Sequence, residues 1–330
     1  RVIRDRLAFV VIDRGDVPTF IVASNEEGFV RANTWIQDVR TYVQHQTSPI
    51  DLLAETIKEK GLSTGRIGIE PSYLPVEFYF KLTKALPEAT FLPCEPIFER
   101  VRMIKTSEEL EILTRAGKAT EKALMATYST IRPGDTEHAL VARLGGNIIQ
   151  AGADLPAFLF LTVGSNTSYA HPDPTDCRVK TGDLIKSDCG GYFSGYYSDI
   201  GRTAVIGKAS HEQRSIYQRI LEVHQETIAA MIPGKRASAI FNVAVEAYCR
   251  VKIPFALPFA GHGVGLFIHE TPMLSADDNT PIQPNMIFSV ETRVRWPDRE
   301  GYHIEDVVVI KEHGPEIVTT FMDTSNLMEL

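Results

Sequence analysis

The sequence is poor in cysteine, has no long apolar run and carries no excess of positive charge. Its four cysteines are scattered over 330 residues without a CxxC pair, which argues against a disulfide framework and favours a reducing compartment such as the cytoplasm. No apolar run approaches the roughly 18 residues that a membrane span needs. The net charge of −8 argues against nucleic-acid or membrane-surface partners, because both need clustered Lys and Arg.

Length and local patterns predict two domains. A chain of 330 residues suits domains of roughly 100–200 residues each. The first part alternates β-rich runs with a helix over 48–61, as in a small α/β domain. The capping-box motif TSEE at 106–109 then begins a long helix. We therefore predict domains at 1–102 and 103–330. Because a strand-like run at 7–13 opens the chain almost at once, the first domain is expected to be shortened at its start.

The second domain contains a weak internal repeat. The segment MATYSTIRPGDTEHALVARL aligns with ETIAAMIPGKRASAIFNVAV, so that Pro133-Gly134 matches Pro233-Gly234. Each copy predicts a helix, a Pro-Gly turn and a second helix, followed by a histidine-containing loop and two strands. Two such halves would pair around a pseudo-twofold axis with a site between them. Chance similarity between two helical segments is the alternative.

Two predicted strand pairs of this domain each carry two acids. Antiparallel pairing about residues 193–194 places Asp188 opposite Asp199, and pairing about Asp298 places Glu291 opposite Glu305. Opposed like charges on apolar strands are destabilising unless protons or cations compensate them. Four carboxylates balance two divalent cations. With one imidazole added they suit Mn, Co, Zn or Fe, and the excess of oxygen favours Mn.

Several neighbouring residues are predicted to have no functional role. Asp306 should point to the opposite strand face by alternation and be solvated, and Cys189 should pack as a small hydrophobe. The HETPM segment is not an HExxH zinc motif. No role or partner is predicted for the remaining histidines, which are His45, His138, His211, His224 and His313.

Through five residues taken together, the sequence resembles the pita-bread metallopeptidases, which include Xaa-Pro aminopeptidase, prolidase, methionine aminopeptidase and the related creatinase. The five residues are Asp188, Asp199, His262, Glu291 and Glu305, within the motifs SDIGRT, GHGVGL..HE and IEDVVVI. The resemblance covers about residues 103–312. It implies an α+β fold, with a pita-bread catalytic domain preceded by a smaller, partial α/β creatinase-type domain. It also implies a homodimer.

The resemblance implies a role for each of these residues. Asp188 would bind one metal ion, Asp199 and Glu305 would bridge two, and His262 and Glu291 would complete the second site. A hydroxide between the metals would attack the substrate, with Glu291 as proton shuttle. The positions of His171 and His269 match two substrate-facing histidines of the family, of which the second would contact the scissile carbonyl or the oxyanion.

The sequence departs from the family on the substrate side. His303 stands where proline-specific members usually carry Arg, so it is predicted to contact substrate. Pro258 replaces a histidine of several aminopeptidases, and Thr292 replaces a common proline. The leading hypothesis is therefore a dinuclear metallohydrolase of small peptides, of Xaa-Pro dipeptidase or aminopeptidase type. The alternatives are a metallohydrolase of a non-peptide, amide-like metabolite and a non-enzymatic binding module.

Overall fold

In a computed structural model the chain forms two compact units, residues 1–98 and 99–330, of which the structure describes residues 6–15, 17–255 and 257–330. The predicted boundary of 102/103 falls at the end of the helix Glu95–Met103. No helix among the described residues combines the length and apolarity needed to cross a membrane.

The first unit packs helices on two small sheets. In the larger sheet the second strand pairs antiparallel with the first and parallel with the third. The second helix of this unit begins at the N-cap Ser48 with Pro49 in the first turn, and it ends before Gly61, whose φ is +72°. The elements are β1 (Phe9–Val11), β2 (Thr19–Ala23), α1 (Glu27–Asn33), β3 (Asp38–Tyr42), α2 (Pro49–Glu59), β4 (Arg66–Ile69), α3 (Val76–Ala85) and β5 (Thr90–Pro93). The helix α4 (Glu95–Met103) follows and contains the division between the units at 98/99.

The second unit has one large, mainly antiparallel sheet with two helix pairs. The first helix begins at the predicted capping box, in which Thr106 and Glu109 satisfy each other's backbone N–H groups. The elements are α5 (Ser107–Tyr128), α6 (Glu137–Gln150), β6 (Leu155–Val163), β7 (Leu184–Phe193), β8 (Tyr196–Tyr197), β9 (Ile200–Val205), α7 (His211–Ala229), α8 (Ala237–Arg250), β10 (Phe259–Gly263), β11 (Glu270–Ser275), β12 (Ile287–Trp296), β13 (Glu300–Lys311), β14 (Gly314–Ile317) and β15 (Met328–Glu329). The main strand order is β11-β10-β12-β13-β9-β7-β6.

The internal repeat predicted from the sequence is present in the structure. The turn after α5 contains Gly134 at φ +95°, whose N–H donates to Val179 O at 2.9 Å. The turn after α7 contains Gly234 at φ +89°, whose N–H donates to Ile282 O at 2.8 Å. The two halves of the sheet meet where β9 pairs with β13, with Gly201 opposite Glu305.

The register of one predicted hairpin is confirmed and that of the other is wrong. Glu291 lies opposite Glu305, as predicted. Asp188, however, lies opposite Gly201 and not opposite Asp199. The strands turn at Ser194 and Gly195, whose φ values are +49° and +95°. Two consecutive positive φ values make a two-residue hairpin turn that matches strand twist, and it lies one residue beyond the predicted centre. The resulting shift of two residues leaves Asp188 and Asp199 on one face.

Candidate metal centre

The predicted acids and histidines converge on one face of the sheet, at the junction of β9 and β13. Four carboxylates and two imidazoles lie there within a few ångströms of one another, and each of these residues is at most 7% exposed. They are Asp188 on β7, Asp199 beside β9, His262 on β10, Glu291 on β12, and His303 and Glu305 on β13. This burial makes uncompensated charge costly.

One group of donors surrounds Asp199. Nε2 of His262 lies 3.5 Å from Oδ2 of Asp199 and 4.0 Å from Oε1 of Glu305. Nδ1 of His262 lies 3.1 Å from the carbonyl oxygen of Gly263. A carbonyl can only accept a hydrogen bond, so Nδ1 carries the proton and Nε2 keeps a lone pair directed at the acids.

A second group surrounds Asp188. Nδ1 of His303 lies 3.8 Å from Oδ2 of Asp188, and Nε2 lies 3.3 Å from Oε2 of Glu305. Glu305 therefore belongs to both groups, and in each group the donor atoms lie within 4.8 Å of one another. Glu291 lies beside both, with its Oε2 paired to Nη1 of Arg293 and 3.5 Å from Nε2 of His303.

Three buried atoms of this cluster have no hydrogen-bond partner. They are Asp199 Oδ1, Glu305 Oε2 and His303 Nε2. Buried polar atoms are nearly always paired, so unpaired ones within a single cluster of acids and imidazoles indicate a ligand that binds there. Carboxylate and imidazole donors are the set that divalent transition-metal ions prefer. The residues present therefore fit one divalent ion at each group.

Burial and mutual repulsion shift the titration of the cluster. Burial, together with the charge of Asp188, raises the pKa of Asp199 well above its ordinary value. Burial and the charge of Asp199 do the same for the pKa of Glu305. Burial lowers the pKa of His262 to about 4 and that of His303 to about 3. At neutral pH both imidazoles are neutral, as metal coordination requires.

The two predicted loop histidines flank the acids. Nε2 of His171 lies 3.4 Å from Oδ2 of Asp188, and half of its side chain is exposed. The rings of His262 and His269 are 4.3 Å apart and nearly perpendicular. Burial, partly offset by the charge of Glu291, lowers the pKa of His269. Both histidines are thus placed at the open side of the cluster, where a substrate would enter.

The prediction that Asp306 is solvated is wrong, although it does point away from the acids. Its side chain is buried, and it accepts hydrogen bonds from Arg202 at 2.7 Å and from Thr319 at 2.7 Å. Nε2 of His224 lies 3.0 Å from its other oxygen. The prediction that His224 lacks a partner is therefore also wrong. Arg202 continues to Glu121 at 2.8 Å. This network lies beneath the acids and fixes β9 to β13.

Another pair that sequence reasoning missed supports the loop of His269. The buried Glu270 accepts from Lys105 Nζ at 2.9 Å and from the backbone N–H of Phe267 at 3.2 Å. A side chain at Gly265 would collide with the Glu270 carboxylate. The other two glycines of GHGVG are as crowded, because a Cβ at Gly261 or Gly263 would lie only 2.7 or 2.8 Å from a backbone oxygen. Cys189 is fully buried in the apolar core, as predicted.

Comparison with known proteins gives the family. Residues 111–312 match the profile of metallopeptidase family M24, and residues 4–104 match that of the creatinase/prolidase N-terminal domain. The chain is 31% identical over 315 residues to an Xaa-Pro dipeptidase of Pyrococcus furiosus, covering 94% of this chain and 86% of that protein. It is 30% identical over 284 residues to an Xaa-Pro dipeptidase of Lactobacillus helveticus, covering 85% and 77%.

Solved structures agree in fold. The structure matches an X-Pro aminopeptidase of Thermotoga maritima with a TM-score of 0.89 and 26% identity, over 98% of this chain and 88% of that one. It matches the prolidase of Pyrococcus furiosus with a TM-score of 0.85 and 28% identity, over 96% and 90%. The two-domain pita-bread architecture implied by the sequence is therefore confirmed, and the chain belongs to metallopeptidase family M24.

Proposed function

We propose that this chain hydrolyses small peptides, with Xaa-Pro dipeptides as its main substrates, at a centre of two divalent metal ions. The observation that carries the proposal is the buried cluster of four carboxylates and two imidazoles with three unpaired donor atoms. Asp188, Asp199, His262, Glu291 and Glu305 would hold the ions. Because most of these donor atoms are oxygens, manganese is favoured over cobalt, zinc and iron as the bound metal.

The residues around the ions have separate tasks. When bound, two divalent ions supply an activated water at neutral pH and polarise the scissile carbonyl. A carboxylate oxygen of Glu291 takes the proton of the attacking water and returns it to the leaving nitrogen. His269, neutral at neutral pH, donates its ring N–H to the oxygen that develops negative charge. His171, beside Asp188 at the same open side of the cluster, contacts the substrate as well.

Three basic side chains beside the acids, Lys186, Arg293 and Arg295, support a substrate with a free carboxylate. Two residues further along the strands from the acids, on the same face, lies a row formed by Lys186, Thr203, His303 and Arg293. Arg295 follows on β12. Within the described part of the chain, no hydrogen bond or ion pair engages the half-buried Arg295 guanidinium. Successive rows are about 6–7 Å apart along the strands, so the backbone of Arg293 lies about 6–7 Å and that of Arg295 about 13 Å from the row of acids. The long side chain of Arg295 would have to extend back toward the acids to meet the carboxylate of a dipeptide whose amide lies there.

Lys186 and Arg293 are only partly available for this role. Nζ of Lys186 donates to the carbonyl oxygens of Tyr169 and Ala170, so it positions the segment that leads to His171. Nη1 of Arg293 pairs with Glu291. Arg295 is therefore the cation of this face whose guanidinium stays available for the substrate carboxylate, and Arg293 lies one row closer to the acids.

The function is tested by metal reconstitution and a substrate panel. Protein stripped with a chelator is reloaded separately with Mn, Co, Zn or Fe and given Ala-Pro, its C-terminal amide, a proline-free dipeptide and compact non-peptide amides. We expect metal-dependent hydrolysis of Ala-Pro, and weaker hydrolysis of the amide because its carboxylate is missing. Peptide hydrolysis that survives exhaustive chelation would contradict the proposal. Turnover of the compact amides without any peptide turnover would favour the non-peptide hypothesis.

The homodimer implied by the resemblance and the cytoplasmic location inferred from the scattered cysteines stay predictions. Light scattering of the eluting protein on size exclusion tests the first, with twice the 36.7 kDa mass of the chain expected.

A further inference from the structure

His303 is built into the acidic cluster and is sealed from solvent. It is 2% exposed, whereas a residue that binds substrate directly needs an accessible surface. Its backbone is fixed to β9, because its N–H donates to Thr203 Oγ1 at 2.8 Å and its carbonyl accepts from the same hydroxyl at 2.9 Å. The ring is thereby held over the acids, with little freedom to turn toward a substrate.

A glycine on the neighbouring strand makes room for this ring. A Cβ at Gly201 would lie 2.6 Å from Nδ1 and 2.7 Å from Cε1 of His303, a separation too small for any side chain. Gly201 is also the residue that faces both Asp188 and Glu305 across the sheet. The imidazole of His303 therefore crosses β9 at the one position without a side chain, and reaches Asp188.

The ring nitrogens face carboxylate oxygens without bonding to them. Nε2 lies 3.3 Å from Glu305 Oε2, yet both atoms lack a hydrogen-bond partner. A hydrogen bond between them would satisfy both, so their shared lack of a partner indicates that both lone pairs face a common third atom. Asp188, His303 and Glu305 thus form one group of close donor atoms, as Asp199, His262 and Glu305 form the other.

We infer that His303 is a ligand of the metal ion held by Asp188 and Glu305, so that each of the two ions has one imidazole donor. The inference rests on the metal centre of the proposed function. A second imidazole changes the donor set from mostly oxygen toward mixed nitrogen and oxygen, which suits Zn, Co or Fe better than an all-oxygen set does. The preference for manganese argued from the five predicted ligands is correspondingly weakened.

The test is cobalt binding to the chelator-stripped, full-length chain. Titration calorimetry gives the two affinities, the visible spectrum reports the donor set, and proton NMR of the cobalt-loaded protein shows exchangeable imidazole protons shifted by the ion. Wild-type protein is expected to bind two Co²⁺ and to show such protons from two histidines. His303→Ala is expected to lose at least about tenfold in affinity at one site only, and to lose the signal of one histidine.

Two further variants make the result specific. Gly201→Ala, which displaces the ring while keeping His303, is expected to weaken the same site. His171→Ala removes the exposed histidine near Asp188 and is expected to keep both affinities and the spectrum. Circular dichroism of the metal-free variants verifies folding, and His303→Gln serves as a second variant if His303→Ala does not fold.

The outcomes separate this inference from the function. Unchanged affinities and spectrum in His303→Ala would overturn it. So would tighter binding of the second ion, because that result means His303 is a protonated counter-ion that competes with metal. Two bound ions in wild-type protein with no peptide hydrolysis would refute the proposed function and leave the ligand assignment intact. Wild-type protein that binds no metal would overturn both.

Discussion

At the scale of single residues, position on a strand predicts the direction of a side chain but not its partners. The alternation of side chains along β13 correctly predicts that Asp306 points away from Glu305. Two of the three side chains that bond Asp306, His224 and Arg202, lie 82 and 104 residues away. No local pattern joins such positions. Burial by itself would raise the pKa of Asp306, but the charge of Arg202 and the hydrogen bond from His224 outweigh it, and the pKa lies well below its usual range.

The first prediction concerns this buried network. Asp306→Ala leaves the Arg202 charge without one of its acids, and breaking a buried ion pair by removing one partner costs about 3–5 kcal/mol. We expect a loss of this size in the free energy of unfolding of the metal-free protein, measured by urea denaturation. Glu316→Ala removes the exposed pair with Lys311 and should change the same quantity by less than about 1 kcal/mol. Equal losses in both variants would contradict the structural role of Asp306.

The second prediction separates ligands from substrate contacts. If Asp199 serves both ions, Asp199→Asn weakens the binding of both, because an amide is a poorer donor than a carboxylate. His269→Ala should keep two ions and lower turnover by about 10²–10³-fold, the usual effect of one oxyanion donor. Metal analysis after dialysis, together with steady-state kinetics, distinguishes the two. Metal loss in His269→Ala would mean that the roles of His262 and His269 are exchanged.

At the scale of elements, the hairpin turns decide which acids face each other. The β12–β13 hairpin is centred on Asp298, as predicted, and its predicted register is therefore correct. In the β7–β9 region the dipeptide Ser194-Gly195 forms the turn, and the predicted centre was one residue early. The acids still share a face, because a shift of two residues preserves side-chain direction. The site was thus predictable from strand parity, whereas its geometry depends on turn chemistry.

The third prediction addresses this turn. Gly195→Ala forces a Cβ into φ +95°, which costs roughly 1–2 kcal/mol and should lower the thermal midpoint. Ser194→Asn places a residue that tolerates positive φ at +49°, so its midpoint should equal or exceed that of the wild type. Both variants should keep two metal ions, since the flanking strand pairs hold the register. Loss of metal from Gly195→Ala alone would show that the turn itself sets the site.

At the scale of the whole molecule, metal and protons compete for the same buried oxygens. Burial and neighbouring charge raise the pKa of Asp199 and Glu305. Both pKa values are higher in the folded protein than in the unfolded chain. The metal-free fold is therefore most stable at low pH and loses stability as pH rises through the raised values. His262, with a pKa of about 4, is already neutral above pH 5 and releases no proton on binding metal. The protons that compete with metal are thus those of Asp199 and Glu305, and they are held less tightly as pH rises. The gain in stability on binding metal should therefore grow with pH.

The fourth prediction follows from this competition. Measured between about pH 5 and pH 8, the gain in thermal midpoint on adding saturating Zn²⁺ or Mn²⁺ is expected to increase with pH for as long as Asp199 and Glu305 keep their protons. Each displaced proton tightens binding about tenfold per pH unit. Differential scanning calorimetry of matched metal-free and metal-loaded samples measures the gain. A gain that is constant over this range would mean that Asp199 and Glu305 are ionised without metal.

The junction of β9 with β13 has a consequence for how the protein assembles. Asp188 and Asp199 come from the first half of the repeat, whereas His262, Glu291 and Glu305 come from the second. A chain in which only one half has formed has at most part of either donor group. During refolding, tight metal binding should consequently be among the last properties to return, so that a metal-sensitive probe added to the refolding mixture reports when the two halves join.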